Sequence, residues 1–134
     1  MTITIETYAG ARTAERALPW SIDDARAAIR ELDGHATTLL ALEQSGHSLW
    51  IAGGPDRFTV TYTTPNTEKA YSLIPNPEVK GTEPRVMGGQ LVDQPIRELV
   101  SRDAAEKAAA EFVETGIVRL SPEWEDQDQA SPTS

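Results

Sequence analysis

The chain has 134 residues, 39% of them hydrophobic, enough for one globular domain with a core of its own. It contains no cysteine, which excludes disulfides and thiolate metal sites. Its net charge of −9 argues against direct nucleic-acid binding, since phosphates demand a basic footprint.

The same acidity permits the opposite role, in which carboxylates occupy a basic groove on another protein and attract it from a distance. The competing reading is acidity for solubility alone. The N-terminal MTITIETYAG lacks the basic start and long apolar run of a signal peptide, and no run approaches the roughly 20 apolar residues of a membrane span. The expectation is a soluble, cytoplasmic protein.

In chain order, Thr2 to Tyr8 alternates Ile3 and Ile5 with Thr2, Thr4 and Glu6, a strand. Ala9 to Pro19 reads as a loop with at most a short helical turn. Ser21 opens a helix with Asp24 as capping-box partner, and Trp20 before the cap is either a staple on the first turn or an exposed binding aromatic. Ile22, Ala25, Ile29 and Leu32 share its apolar face, and Gly34 ends it.

Three strands follow: Thr37 to Glu43, Ser48 to Ala52 and Arg57 to Thr63. Turns at Gln44-Ser45-Gly46-His47 and Gly53-Gly54-Pro55-Asp56 separate them. In the third, Phe58, Val60 and Tyr62 point one way and Arg57, Thr59, Thr61 and Thr63 the other. Connections this short make neighbouring antiparallel strands. A fourth strand, Lys69 to Ile74, follows the turn Pro65-Asn66-Thr67.

From Pro75 to Pro95, four prolines and three glycines predict a long irregular loop carrying Glu78, Glu83 and Asp93. Ile96 to Val100 reads as a last strand. Ser101 then caps a helix with Ala105, Ala108, Ala109, Phe112 and Val113 on one face, and Gly116 ends it. Ile117, Val118 and Leu120 start a short strand leading to Trp124. The stretch EDQDQASPTS, residues 125–134, reads as an acidic disordered tail after a single domain over 1–124. The fold class is therefore α+β: a mainly antiparallel, twisted sheet of about five to six strands with two helices on one face.

Catalytic patterns are weak. The two histidines, His35 and His47, both fall in turns, and the serines lie in no nucleophile-elbow context. Gly53-Gly54 and Gly88-Gly89 lack the spacing and lysine of a phosphate loop. Abundant carboxylates on an acidic surface are read as solvated. The expectation is no enzyme, no metal and no cofactor.

Gly88-Gly89, then Pro95 and Leu99-Val100 leading into an alanine-rich helix, then Phe112, Thr115-Gly116 and Trp124-Glu125 form an ordered series. In this order and spacing the chain resembles the C-terminal signature of the Imm-one family of immunity proteins. The central block, Trp50 with a Gly-Gly turn before the Phe58–Tyr62 strand, is similar to the middle of that family. The resemblance implies a small cytoplasmic inhibitor that binds a cognate toxin domain, encoded next door. Relatives accompany nucleic-acid deaminase toxins among others. It implies steric and electrostatic occlusion of an electropositive mouth, without chemistry and without direct contact with nucleic acid or membrane.

The partner-binding candidates come from position in the chain. Asp56, Glu78, Glu83 and Asp93 can present acids close together, and Trp50, Tyr62, Tyr71 and Trp124 are candidate anchors. Core packing is the competing reading of each aromatic, and plain solvation of each acid; Phe58 and Phe112 are core outright. Two other classes stay open. An acidic adaptor domain would have no tight partner. A small-molecule binder would need a pocket beneath the Pro75–Pro95 loop, with Tyr62, Tyr71 and His47 inside it.

Overall fold

Period-two alternation in the middle of the chain builds a sheet whose one face is greasy enough to require cover. The computed structural model describes residues 2–9, 12–18, 22–32, 37–54, 56–65, 69–76, 78–87, 90–120 and 122–126. The strands are β1 (Thr2–Ala9), β2 (Arg12–Leu18), β3 (Thr37–Gln44), β4 (His47–Gly53), β5 (Arg57–Thr63) and β6 (Ala70–Leu73). They continue with β7 (Thr82–Met87), β8 (Gln90–Pro95), β9 (Val100–Ser101) and β10 (Trp124–Asp126). The helices are α1 (Ile22–Glu31) and α2 (Arg102–Thr115).

The fold is α+β. Among the described residues, eight strands form one antiparallel sheet in the order β10-β6-β5-β4-β3-β1-β2, with β9 paired to the start of β5. That is wider than the five or six expected. β7 and β8 form a separate two-stranded sheet. β3, β4 and β5 follow one another as antiparallel neighbours, the meander that the short turns imply.

Register fixes the two faces of the sheet. Leu40, Ile51 and Val60 stand opposite one another across three strands, as do Leu42, Leu49 and Tyr62. All six are buried, and with Phe58 they form the covered face. α2 lies against β3, β4 and β5, and α1 packs on α2 and β3. From α1 come Ala25, Ala28, Ile29 and Leu32; from α2, Ala105, Ala108, Ala109, Phe112 and Val113. Phe58 and Phe112 are fully buried, each contributing about 2–3 kcal/mol of apolar burial.

Local signals set α2. Ser101 Oγ accepts from the Ala104 N–H at 3.2 Å, and Gly116 adopts φ 78°, its N–H donating to the Phe112 carbonyl at 2.7 Å. α1 keeps its expected apolar face. Its boundary residues Trp20, Ser21 and Gly34 lie outside the described residues, as does the side chain of Asp24.

Four expectations are corrected. The stretch read as a loop from Ala9 to Pro19 contains β2, which pairs with β1 along its whole length. The loop expected from Pro75 to Pro95 contains the β7–β8 hairpin. Ile96–Glu98 is a turn of 3-10 helix rather than a strand, and only Val100–Ser101 pairs, with β5. Residues 117–120 form no strand: Val118 is buried, whereas Ile117 and Leu120 face solvent. The strand there is β10, and it includes Glu125 and Asp126, the first two residues of the expected tail; 127–134 lie outside the described residues.

Candidate functional site

β4 divides its side chains between two environments. Leu49 and Ile51 enter the core, which turns Trp50 onto the opposite face. There Trp50 is 42% exposed. Ala41 on β3 and Thr61 on β5 stand directly opposite it, and Ser72 stands opposite Thr61 on β6. These neighbours are small and partly exposed, so the indole is the one large side chain among them. Exposed Glu43 on β3 lies two residues from Ala41, the diagonal position to Trp50 at about 7–8 Å.

This open face has identifiable borders. On one side Glu125, opposite Ser72, is held by Arg97 in a two-pronged ion pair at 3.1 Å. On another, β7 lies against β3 and β4. Arg85 ties the hairpin down: its Nη1 reaches the Gly54 carbonyl at 3.5 Å and Asp56 at 3.8 Å, and its Nε donates to Glu83 at 2.8 Å.

The acids expected to act together are separated. Glu83 pairs with Gln94, whereas Asp93 pairs with Pro84, so the two carboxylates sit on opposite faces of the hairpin. Gln94 is buried, marking the Glu83 face as the body side; Asp93 and Leu91 are exposed on the outer parts of the hairpin. Glu78 is exposed in the connection ahead of β7. Asp56 is exposed at the β4–β5 turn, beside Arg85.

Three of the expected aromatic anchors form a single cluster instead. Tyr62 is 4% exposed, so it takes the core-packing alternative and cannot serve as a surface anchor. It stacks on His47 and Tyr71, and meets Phe112 and Trp124 edge-on with centroids 6.4 Å away. Its hydroxyl lies 2.7 Å from His47 Nδ1. Burial pushes the phenol's pKa above its ordinary 10.0; a hydrogen bond from the Val118 backbone partly counters this, and nearby Tyr71 adds to the rise. Tyr71 and Trp124 are partly buried against the core.

A groove of about 600 Å³ runs between α2 and β10, and none of its described lining residues belongs to the Pro75–Pro95 segment. Leu73, Ala104, Ala108 and Trp124 line its apolar part, and Lys107 and Arg119 are its cations. Glu111, Glu114 and Glu123 also border it. Of the small-molecule pocket expected around Tyr62, Tyr71 and His47, none of the three lines this groove. Glu43 and the groove residues carried no sequence motif; only the parity of β3, with Leu40 and Leu42 inward, could have placed Glu43 beside Trp50.

Among the described residues, no group of three or more His, Asp or Glu side chains is placed to hold a metal ion. No helix there is long and apolar enough to cross a membrane. Comparison with family models finds none that matches this chain, and no curated protein sequence matches it either.

Proposed function

We propose that this protein is an immunity-type inhibitor, binding a cognate toxin domain and covering an electropositive active-site mouth. One observation supports this reading above the others: a chain of net charge −9 leaves a sheet face uncovered by its helices, with a half-exposed tryptophan beside a carboxylate. A free tryptophan on an acidic surface is the kind of anchor that dominates tight protein interfaces. Acidic complementarity would speed capture of a basic partner. Protection against a lethal enzyme needs affinity on the order of nanomolar, about 12 kcal/mol.

The residues that carry the family resemblance have structural duties. Phe112 fills the core, Gly116 caps α2, and Trp124 packs on Tyr62. Recognition is therefore left to surface residues outside that series. The mechanism is occlusion without chemistry, in the cytoplasm where the toxin would otherwise act.

The test is co-expression with the C-terminal domain encoded immediately upstream, scoring growth and co-purification. Killing that this protein rescues, with a stable complex, supports the reading. A harmless neighbour, or a toxic one neither bound nor neutralised, refutes it in favour of an acidic adaptor domain. The groove favours a second reading, small-molecule binding, since its volume and apolar floor suit a ligand. A metabolite screen that raises the melting temperature would support it.

A further inference from the structure

We infer that the open sheet face is the recognition surface, and that Trp50 and Glu43 together take a basic side chain of the partner, an arginine. The inference rests on the inhibitor reading and names its contact. The indole of Trp50 stands among Ala41, Ser48, Ala52 and Thr61, with Leu39 and Glu43 at its two diagonal positions on β3, and it keeps 42% of its surface exposed. That exposed part is where a flat group can pack. Glu43 stands diagonally beside it and opposite Ser48, at a reach that long side chains bridge.

An aromatic face next to a carboxylate selects a cation. A guanidinium can lie flat on the indole and present its edge to the carboxylate at once, which an ammonium cannot do equally well. Among the described residues, the other charges on this face stand away from that place. Glu125 is engaged by Arg97, and Arg57 sits at the far end of β5, four residues before Thr61. Among the described residues, the charge nearest Trp50 by register is thus negative, in keeping with the chain as a whole.

The other candidate surfaces are less specific. The α2 groove mixes two cations with three carboxylates and selects no charge. Leu91, 74% exposed on the hairpin, is apolar but offers no group that would define its occupant.

The experiment measures the dissociation constant of the purified upstream-encoded domain for the full chain and its variants. Trp50→Ala is expected to weaken binding about 30- to 100-fold, and Glu43→Gln about 5- to 10-fold with a shallower salt dependence. Trp50→Phe should retain an intermediate affinity, and serves if the alanine variant folds poorly. The double variant should lose less than the product of the two, because both residues hold one side chain. Leu91→Ala is the control expected to bind as wild type. Wild-type binding with Trp50→Phe and Glu43→Gln within about twofold of it removes this face and leaves the inhibitor reading standing. Absence of wild-type binding removes both.

Discussion

Replacing Gly116 by alanine tests how α2 is anchored to the sheet. Gly116 holds φ 78°, where a side chain costs about 1–2 kcal/mol. A Cβ built there would lie 2.8 Å from Gln44 Nε2 and 3.1 Å from its Cδ, so the end of the Gln44 side chain must swing aside. That displacement adds about 0.5–1.5 kcal/mol. The sum, about 1.5–3.5 kcal/mol, lowers the melting temperature by roughly 5–17 °C for a domain of this size. Gln44→Ala separates the two contributions. Gln44 Oε1 is buried without a partner, so removing it costs little, and in that background Gly116→Ala should cost only the backbone share. Urea unfolding of the four-member cycle is the assay. An equal cost in both backgrounds would refute the contact, and a neutral Gly116→Ala would refute the left-handed cap.

Three further variants test the packing. Tyr62→Phe should cost about 1–2 kcal/mol by leaving the His47 ring nitrogen without its partner, read by chemical denaturation. The Tyr62 phenol has a folded pKa above the unfolded 10.0, so its contribution is complete below pH 10 and lost as pH rises beyond it; Tyr62→Phe should flatten that alkaline loss. Trp124→Ala removes an edge-on contact with Tyr62 and should cost about 2–4 kcal/mol in the same assay. Arg85→Ala releases the hairpin from Gly54 and Asp56, raising hydrogen exchange over 82–95 while changing global stability by less than about 1 kcal/mol.

What could be read from the sequence was what local chemistry decides. Ser101 and Gly116 define α2 from both ends, and the burial of every second residue in β5 follows its alternation. β2 was missed because Arg12–Leu18 is mostly alanine, arginine and glutamate, with Thr13 its single β-branched residue; only its ladder with β1 makes it a strand. The prolines of β7 and β8 misled for a related reason. A two-stranded ladder has a free edge on each strand, so a proline can sit where no N–H is required. Met87 and Gln90 pair across Gly88-Gly89, a two-glycine spacing that signals a hairpin as well as it argues against a phosphate loop.

Placement of the candidate site depended on the same non-local register. Alternation alone put Trp50 opposite to Leu49 and Ile51, and it stands there. Whether Tyr62 faced solvent or core required knowing that α2 brings Phe112 onto β5. The grouping of Glu83 with Asp93 failed because a loop imposes no face parity, whereas a hairpin places Glu83 beside Gln94 and Asp93 beside Pro84.

The most direct measurement is the dissociation constant of this chain for the upstream-encoded domain at about 50 and about 500 mM salt. Acidic occlusion predicts nanomolar binding at low salt that weakens steeply as salt rises. No binding, or an affinity indifferent to salt, would contradict it.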